Sequence, residues 1–226
     1  MPLILCIETA TKLCSVALTR NGSVLASRDF ESDKHVHAEK VNVFIDEVMK
    51  EAGLPLKELS AVAVGIGPGS YTGLRIGLSA AKGLCYALEI PVIGISTLHT
   101  LVAAARERGE LTAVCLPMID ARRMEVFTQR YDAGGRAVGD VEAVVLDAAW
   151  AESNASATVF GDGAEKALEL WKSSGLAVVE GVRPNASAMA GEAQRRFASG
   201  EFDDLAYLVP AYGKAANVTQ PKKRMA

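Results

Sequence analysis

The chain has 226 residues, of which 50% are hydrophobic and 23% charged, a balance typical of a folded globular protein rather than a disordered one. A net charge of −3 and a pI near 5.7 argue against a large phosphate-binding surface, so we expect any RNA contact to need a more basic partner. No apolar run reaches the roughly 18 residues of a membrane span, and four widely spaced cysteines fit buried thiols in a cytoplasmic protein.

The first half of the chain predicts alternating strands and helices. Asn21-Gly22 lies between two apolar runs and is a strong hairpin signal. A helix is predicted from His35, with Asp33 as its N-cap, because apolar residues recur at helical spacing until Gly53 ends it. The predicted elements are the strands Leu3–Glu8, Leu13–Thr19, Ala61–Val64 and Pro91–Ile95 and the helices His35–Ala52 and Thr72–Leu88.

The second half repeats this pattern. Glu8 and Asp120 each close a first strand before a second strand follows, and they lie 112 residues apart (120 − 8). A repeat of half the chain length predicts two related lobes, residues 1–109 and 110–226, which we expect to pack tightly because no flexible linker separates them. The later predicted elements are the strands Ala113–Ile119, Glu125–Tyr131, Thr158–Phe160 and Ala177–Glu180, a helix ending near Lys172 and a helix over Ser187–Ala198.

The glycine-rich segment, Gly65 to Gly77, follows a strand and opens a helix. Backbone N–H groups in such a turn can hold an anion, so a phosphate or nucleotide site is one interpretation. The Lys-Ser/Thr pair of a P-loop is missing after Gly73, and the next strand ends in Ser96-Thr97 instead of a ribose-binding acid. The other interpretation is a tight strand-to-helix turn made by the Gly-Pro-Gly sequence at 67–69. The residues leave both interpretations open.

The helix after the glycine-rich segment is apolar nearly all round. We therefore expect one of its faces to pack on the sheet and another on a partner. Gly73, Gly77 and Ala81 form a small-residue stripe at four-residue spacing. Such a stripe lets a second helix approach closely, so it predicts contact with a homotypic or paralogous helix.

Residues with catalytic potential are few. His35 and His37 lie two apart and face different sides of a helix, which favours surface or cap roles over metal binding. Glu8 and Asp120 could position magnesium between the lobes, or could simply end their strands. Ser70 lies in no nucleophile elbow, which argues against a serine hydrolase.

Three stretches together resemble the TsaB family: ILCIETATKLCSVALT, GIGPGSYTGLRIG and LPMIDARRMEVF. The resemblance is densest from Leu3 to about Phe127, with Pro210 and Tyr212 as isolated points beyond. It implies an α/β fold of the actin-like (ribonuclease H-like) ATPase type, with two duplicated lobes of mixed sheets flanked by helices. It also implies a non-catalytic dimerisation subunit in the bacterial biosynthesis of tRNA threonylcarbamoyladenosine, a modification of the adenosine next to the anticodon.

The resemblance further implies partners. A TsaD-like paralogue would transfer the threonylcarbamoyl group, and a small TsaE-like ATPase would join the pair. The chain would form a homodimer or a heterodimer with the paralogue, and would reach tRNA only through the complex. TsaD-like proteins hold a metal with two histidines three residues apart, whereas the corresponding stretch here has only His99, so no metal site is expected. The alternative is a small-molecule kinase or ATPase that uses the cleft between the lobes.

The resemblance also suggests site residues. The dimer interface would lie on the helices His35–Ala52 and Thr72–Leu88, with the candidates His37, Val41, Phe44, Tyr71, Thr72, Arg75, Leu78 and Lys82. No cofactor is required, but a vestigial site could bind ATP or ADP weakly with magnesium at the complex interface. Its candidate residues are Glu8, Thr9, Gly67, Gly69 and Asp120. Glu8 departs from the family, which usually has aspartate at this position.

Overall fold

The computed structural model describes residues 1–32, 36–109 and 114–213. Asp33 and His35, the predicted N-cap and start of the first helix, lie outside these residues, as does Ala113, the predicted start of a strand. In the described part of the chain, no helix is both long enough and apolar enough to cross a membrane.

The first half of the chain forms one mixed sheet of five strands. They are β1 (Leu3–Glu8), β2 (Leu13–Arg20), β3 (Ser23–Glu31), β4 (Ala61–Gly67) and β5 (Val92–Ser96). Their order is β3-β2-β1-β4-β5, with β1 antiparallel to β2 and parallel to β4. Asn21 and Gly22 turn the β2–β3 hairpin with positive φ angles of 53° and 79°, as their sequence predicts.

The second half forms another mixed sheet of five strands. They are β6 (Cys115–Asp120), β7 (Glu125–Tyr131), β8 (Ala137–Val145), β9 (Thr158–Phe160) and β10 (Ala177–Val179). Their order, β10-β9-β6-β7-β8, repeats the first sheet strand for strand. β6 is antiparallel to β7 and parallel to β9, as β1 is to β2 and β4. The predicted duplication of mixed sheets is confirmed.

Helices flank both sheets. They are α1 (His37–Glu51), α2 (Tyr71–Leu88), α3 (Thr97–Glu107), α4 (Ala148–Ser153), α5 (Asp162–Glu165), α6 (Leu168–Ser174) and α7 (Ala190–Ser199). α1 and α2 share a core with one face of the first sheet, through residues such as Val41, Leu78 and Val64. The predicted helix to Lys172 is two helices, α5 and α6, and the last predicted helix begins as a 3-10 turn at Ser187–Met189. α3, α4 and β8 were not predicted.

The two lobes exchange helices. α3, which follows the first sheet in sequence, packs Leu98 and Leu101 against Phe127 of the second sheet. α7, which follows the second sheet, packs Ala193 against Ile4 of the first. The C-terminal half of the chain therefore returns to the N-terminal lobe. The predicted lobe boundary, between residues 109 and 110, borders residues 110–113, which the structure does not describe.

Candidate functional site

The glycine-rich segment links β4 to α2 through a tight turn. The Gly67–Pro68 peptide bond is cis, and Gly67 has a φ of 112°, a conformation that other residues rarely adopt. Ser70 is the N-cap of α2, and its hydroxyl accepts a hydrogen bond from the Gly73 N–H at 3.2 Å. The Ser70 N–H donates to the Ala10 carbonyl at 2.7 Å. Part of the N–H set at this helix end is thus satisfied within the chain.

The glycines of the turn allow close backbone contact. An ideal Cβ on Gly69 would overlap the carbonyl oxygen of Ala10, and one on Gly67 would overlap that of Ala211. On Gly73 it would overlap the carbonyl oxygen of Thr9. Side chains at these three positions are therefore excluded by the backbone carbonyls of Ala211, Ala10 and Thr9. The geometry supports the tight-turn interpretation.

Glu8 is fully buried at the end of β1, and its carboxylate lies where any side chain on Gly65 would overlap it. Its Oε1 accepts a hydrogen bond from the Ala10 N–H at 2.8 Å, whereas Oε2 has no hydrogen-bond partner among the described residues. Burial raises the pKa of Glu8 to about 7, and hydrogen bonds from the backbone of Ala10 and Thr9 oppose that rise.

Asp120 ends β6 as Glu8 ends β1, but its surroundings differ. Its half-exposed side chain forms an ion pair with Lys166, which also donates to the carbonyl of Glu125. The Asp120 N–H donates to Oδ1 of Asp162 at 3.1 Å. Burial raises the pKa of Asp162, and this hydrogen bond opposes the rise. Lys166 thus supplies the positive charge beside Asp120 that a magnesium ion would otherwise supply.

The histidines are not arranged for metal binding. His37 is buried, and its Nε2 lies 2.9 Å from the carbonyl oxygen of Thr11, which can only accept, so the ring proton is on Nε2. This corrects the predicted surface or cap role. His99 is half-buried on α3. Burial lowers the pKa of its ring, and the negative charge of nearby Glu192 opposes this decrease. Across the described residues, no group of three or more His, Cys, Asp or Glu side chains could hold a metal ion.

A C-terminal strap, residues 201–213, runs alongside α2. Lys82 Nζ donates to the carbonyl of Ala206 at 3.2 Å, and Arg75 Nε donates to the hydroxyl of Tyr212 at 2.8 Å. Residue numbers rise along the strap, from Ala206 to Tyr212, as they fall along the helix, from Lys82 to Arg75. The strap therefore runs antiparallel to α2. It extends the surface of this helix with residues that are distant in sequence.

The end of the strap forms an aromatic stack with the start of α2. The rings of Tyr71 and Tyr212 lie 4.9 Å apart between centroids with an interplanar angle of 29°. The guanidinium carbon of Arg75 is 4.0 Å from the centroid of Tyr71, a cation–π distance. These three side chains therefore hold one another in place at the surface.

The structure divides the eight predicted interface residues into two groups. The buried group has little surface to offer a partner, and its members are His37, Val41, Phe44 and Leu78. A charged residue at Leu78 would disrupt the core rather than test an interface. The second group lies at the surface, and for its members the interface stays a prediction: Tyr71, Thr72, Arg75 and Lys82.

The small-residue stripe of α2 faces inward. Gly73, Gly77 and Ala81 are buried, and a Cβ on either glycine would overlap Thr9. The Thr9 hydroxyl donates to the Gly73 carbonyl at 2.8 Å. The prediction that this stripe contacts a second helix is wrong, because its small residues admit the turn between β1 and β2.

Comparisons with known proteins identify the family. Residues 30–194 match the family model described as "TsaD: tRNA N6-adenosine threonylcarbamoyltransferase". The chain is 35% identical over 218 residues to the tRNA threonylcarbamoyladenosine biosynthesis protein TsaB of Escherichia coli K12, covering 92% of this chain and 93% of that protein. The chain belongs to the TsaB family. TsaB of Bacillus subtilis is also 35% identical, over 128 residues that cover 57% of this chain and 54% of that protein.

Solved structures agree with this family assignment. A Pseudomonas aeruginosa protein described as similar to peptidase YeaZ superposes with a TM-score of 0.77 and 29% identity, covering 95% of this chain and 100% of that one. An activator of 2-hydroxyisocaproyl-CoA dehydratase from Clostridium difficile, with bound ADPNP, gives a TM-score of 0.51 at 9% identity over 89% of this chain and 98% of that one. The second likeness concerns the fold alone. The predicted actin-like fold of the TsaB family member is confirmed.

Sequence reasoning missed several residues of this region. Tyr207 on the strap and Tyr86 on α2 are each 81% exposed, and neither was among the interface candidates. Lys166, which pairs with Asp120, was missed because 46 residues separate the two.

Proposed function

We propose that this chain is a non-catalytic subunit in the biosynthesis of tRNA threonylcarbamoyladenosine and that it acts by binding a TsaD-type catalytic partner. The observation that carries the proposal is the 35% identity to E. coli TsaB across nearly the whole of both chains. The local geometry supports a non-catalytic role. The backbone carbonyls of Thr9, Ala10 and Ala211 lie directly against the glycine turn, and Lys166 already balances the charge of Asp120.

The same relationship supports the proposed partners. The chain pairs with a TsaD-type paralogue or with a second copy of itself, and a TsaE-type small ATPase joins the complex. Its net charge of −3 supports indirect contact with tRNA, because phosphate binding depends mainly on clustered lysines and arginines. Weak nucleotide binding, where it occurs, belongs to the interface with the partner.

The test is reconstitution with the TsaD-type and TsaE-type proteins of the same organism. Threonylcarbamoyl transfer to tRNA is measured with and without this chain, and complex mass is measured in parallel. We expect a stable complex, and transfer only when this chain is present. The isolated chain should show neither transfer nor ATP turnover.

Two results would overturn the proposal. Transfer at full rate without this chain would remove its role in the reaction. Sustained ATP turnover by the isolated chain, with no complex formed, would instead support a kinase or ATPase. A matched control is Arg123→Glu, which changes an exposed arginine in the turn between β6 and β7 and should leave assembly and transfer unchanged.

A further inference from the structure

A bulge interrupts the pairing of β7 with β8 in the second sheet. The single residue Gln129 on β7 opposes three residues of β8, 139–141. Gly139 has a φ of 78° within this bulge, a conformation that favours glycine, and its carbonyl accepts a hydrogen bond from Gln129 Nε2 at 2.7 Å. Bulges bend a strand locally and are over-represented next to active sites. The space beside this one is therefore a place to look for a ligand.

A cavity of about 230 Å³ lies beside the bulge. It is bounded by the strands β7 and β8 and by α4, which contributes Trp150 and Asn154. At about 30 Å³ for each water molecule, the cavity has room for roughly eight waters. It is smaller than the roughly 300–1,000 Å³ of pockets for drug-sized ligands. Its size fits a small metabolite.

The cavity is lined by opposite charges that do not pair with each other. Arg130 on β7 and Asp140 and Glu142 on β8 all border it. Arg130 Nη2 instead donates to Oδ1 of Asn154 at 2.7 Å. Within the described ranges of the chain, neither of the two carboxylates accepts a hydrogen bond or forms an ion pair. Because the guanidinium is held apart from both acids, each charge remains able to bind a ligand.

Trp150 gives the same cavity an aromatic wall. Its ring is half-buried and packs against Trp171, with 6.1 Å between the ring centroids. This contact fixes the ring at the edge of the cavity. Small-molecule sites characteristically combine an apolar or aromatic wall with a few polar groups that orient the ligand.

We propose that this cavity binds a small zwitterion, a free α-amino acid with an aliphatic side chain. The carboxylate of the ligand binds Arg130, its ammonium group binds Asp140 and Glu142, and its side chain packs on Trp150. A ligand with one charge would pair with one side of the cavity and leave the other unpaired, so it should bind more weakly. The site is built from β7, β8 and α4 and not from α2 or the strap, so this inference goes beyond the proposed function and does not depend on it.

The test titrates the isotope-labelled full-length chain with three probes of similar shape, followed by nuclear magnetic resonance. L-Valine carries both charges, isobutylamine lacks the carboxylate, and isovalerate lacks the ammonium group. The chain has two tryptophans, and the indole N–H of Trp171 serves as the reference because it donates to the Ala164 carbonyl at 2.7 Å. We expect L-valine to shift the Trp150 signal saturably with a Kd of about 1 mM, and the other probes to bind about tenfold more weakly or worse.

Matched variants locate the binding. Arg130→Gln should weaken L-valine binding about tenfold or more, whereas Arg123→Gln, the same change in the turn between β6 and β7, should leave it unchanged. Glu142→Gln should weaken binding about fivefold, because Asp140 still holds the ammonium group. Glu152→Gln, at an exposed glutamate of α4 that does not line the cavity, should bind as the wild type does. Unchanged melting temperatures verify that each variant is folded.

Several results would overturn the inference. One is the lack of a saturable shift of the Trp150 signal at L-valine concentrations about twentyfold above the expected Kd. Equal binding of isobutylamine would show a site for a cation alone, and equal binding of isovalerate a site for an anion alone. Binding that Arg130→Gln and Glu142→Gln leave unchanged would lie elsewhere on the chain. Equal losses in the two control variants would show general attraction to the charged surface instead of a site.

Discussion

Replacing Glu8 with glutamine is expected to remove a pH dependence of folding stability. Burial raises the pKa of the Glu8 carboxyl from 4.5 to about 7, so the folded state binds this proton more tightly than the unfolded state. Its stabilising contribution is fully present below pH 4.5 and is lost as the pH rises through about 7.

The size of the effect follows from the two pKa values. The interval from 4.5 to about 7, at about 1.4 kcal/mol per pH unit, corresponds to roughly 3 kcal/mol between the fully protonated and fully ionised limits. Glutamine stays neutral at all these pH values. Its oxygen can accept the hydrogen bond from Ala10, and its amide group takes the place of Oε2, which has no partner among the described residues.

The assay is urea unfolding followed by the fluorescence of the two tryptophans, at pH 5 and at pH 8. We expect the free energy of unfolding of Glu8→Gln minus that of the wild type to grow by about 2 kcal/mol between these pH values. The control is Glu39→Gln, an exposed glutamate on α1, whose difference from the wild type should not change. Parallel pH profiles for Glu8→Gln and the wild type would refute the reasoning, because they would show that Glu8 ionises in the folded state without cost.

Two further variants test packing and the joining of the lobes. Gly73→Ala places a Cβ against the Thr9 carbonyl and should lower the free energy of unfolding by about 2 kcal/mol. Gly83→Ala in the same helix meets nothing within 4 Å and should raise it by about 0.5–1 kcal/mol. Equal melting temperatures for the two variants would contradict the close contact at Gly73. Arg183 pairs through both terminal nitrogens with Glu165 and through Nε with Glu31 of the other lobe, so Arg183→Ala should cost about 1–2 kcal/mol after discounting for partial exposure. Hydrogen bonding to Arg183 lowers the pKa of Glu165, so this loss should shrink as the pH falls below 4.5; a loss independent of pH would count against the ion pair.

The sheets could be predicted from the sequence because their strands carry strong local signals. β1, β4 and β6 are continuous apolar runs, and Asn21-Gly22 specifies its hairpin locally. β8 was missed because its sequence, AVGDVEAVV, shows no regular alternation of apolar and polar residues. This agrees with its position in the structure, where eight of its nine residues are exposed. α3 was missed although Leu98, Leu101, Val102 and Ala105 recur at helical spacing, a signal that was present in the sequence.

The site was harder to predict because it depends on contacts between distant segments. The apolar composition of α2 correctly indicates that two of its faces are covered, but it does not identify what covers them. The glycine row meets Thr9, 64 residues away, and the exposed row meets Tyr212, 137 residues away from Arg75. No local pattern in α2 distinguishes small residues that admit a turn of the same lobe from small residues that admit a partner helix.

The rows of α2 divide its contacts between the glycine side and the aromatic surface. Gly73 and Gly77 let the turn after β1 sit directly on the helix, with Thr9 against both glycines. The sheet takes the row that includes Leu74 and Leu78. The row left over includes the exposed Tyr71 and Tyr86, and the strap covers only part of it. Because exposed aromatic side chains are enriched where proteins contact one another, this face of α2 is suited to a second protein.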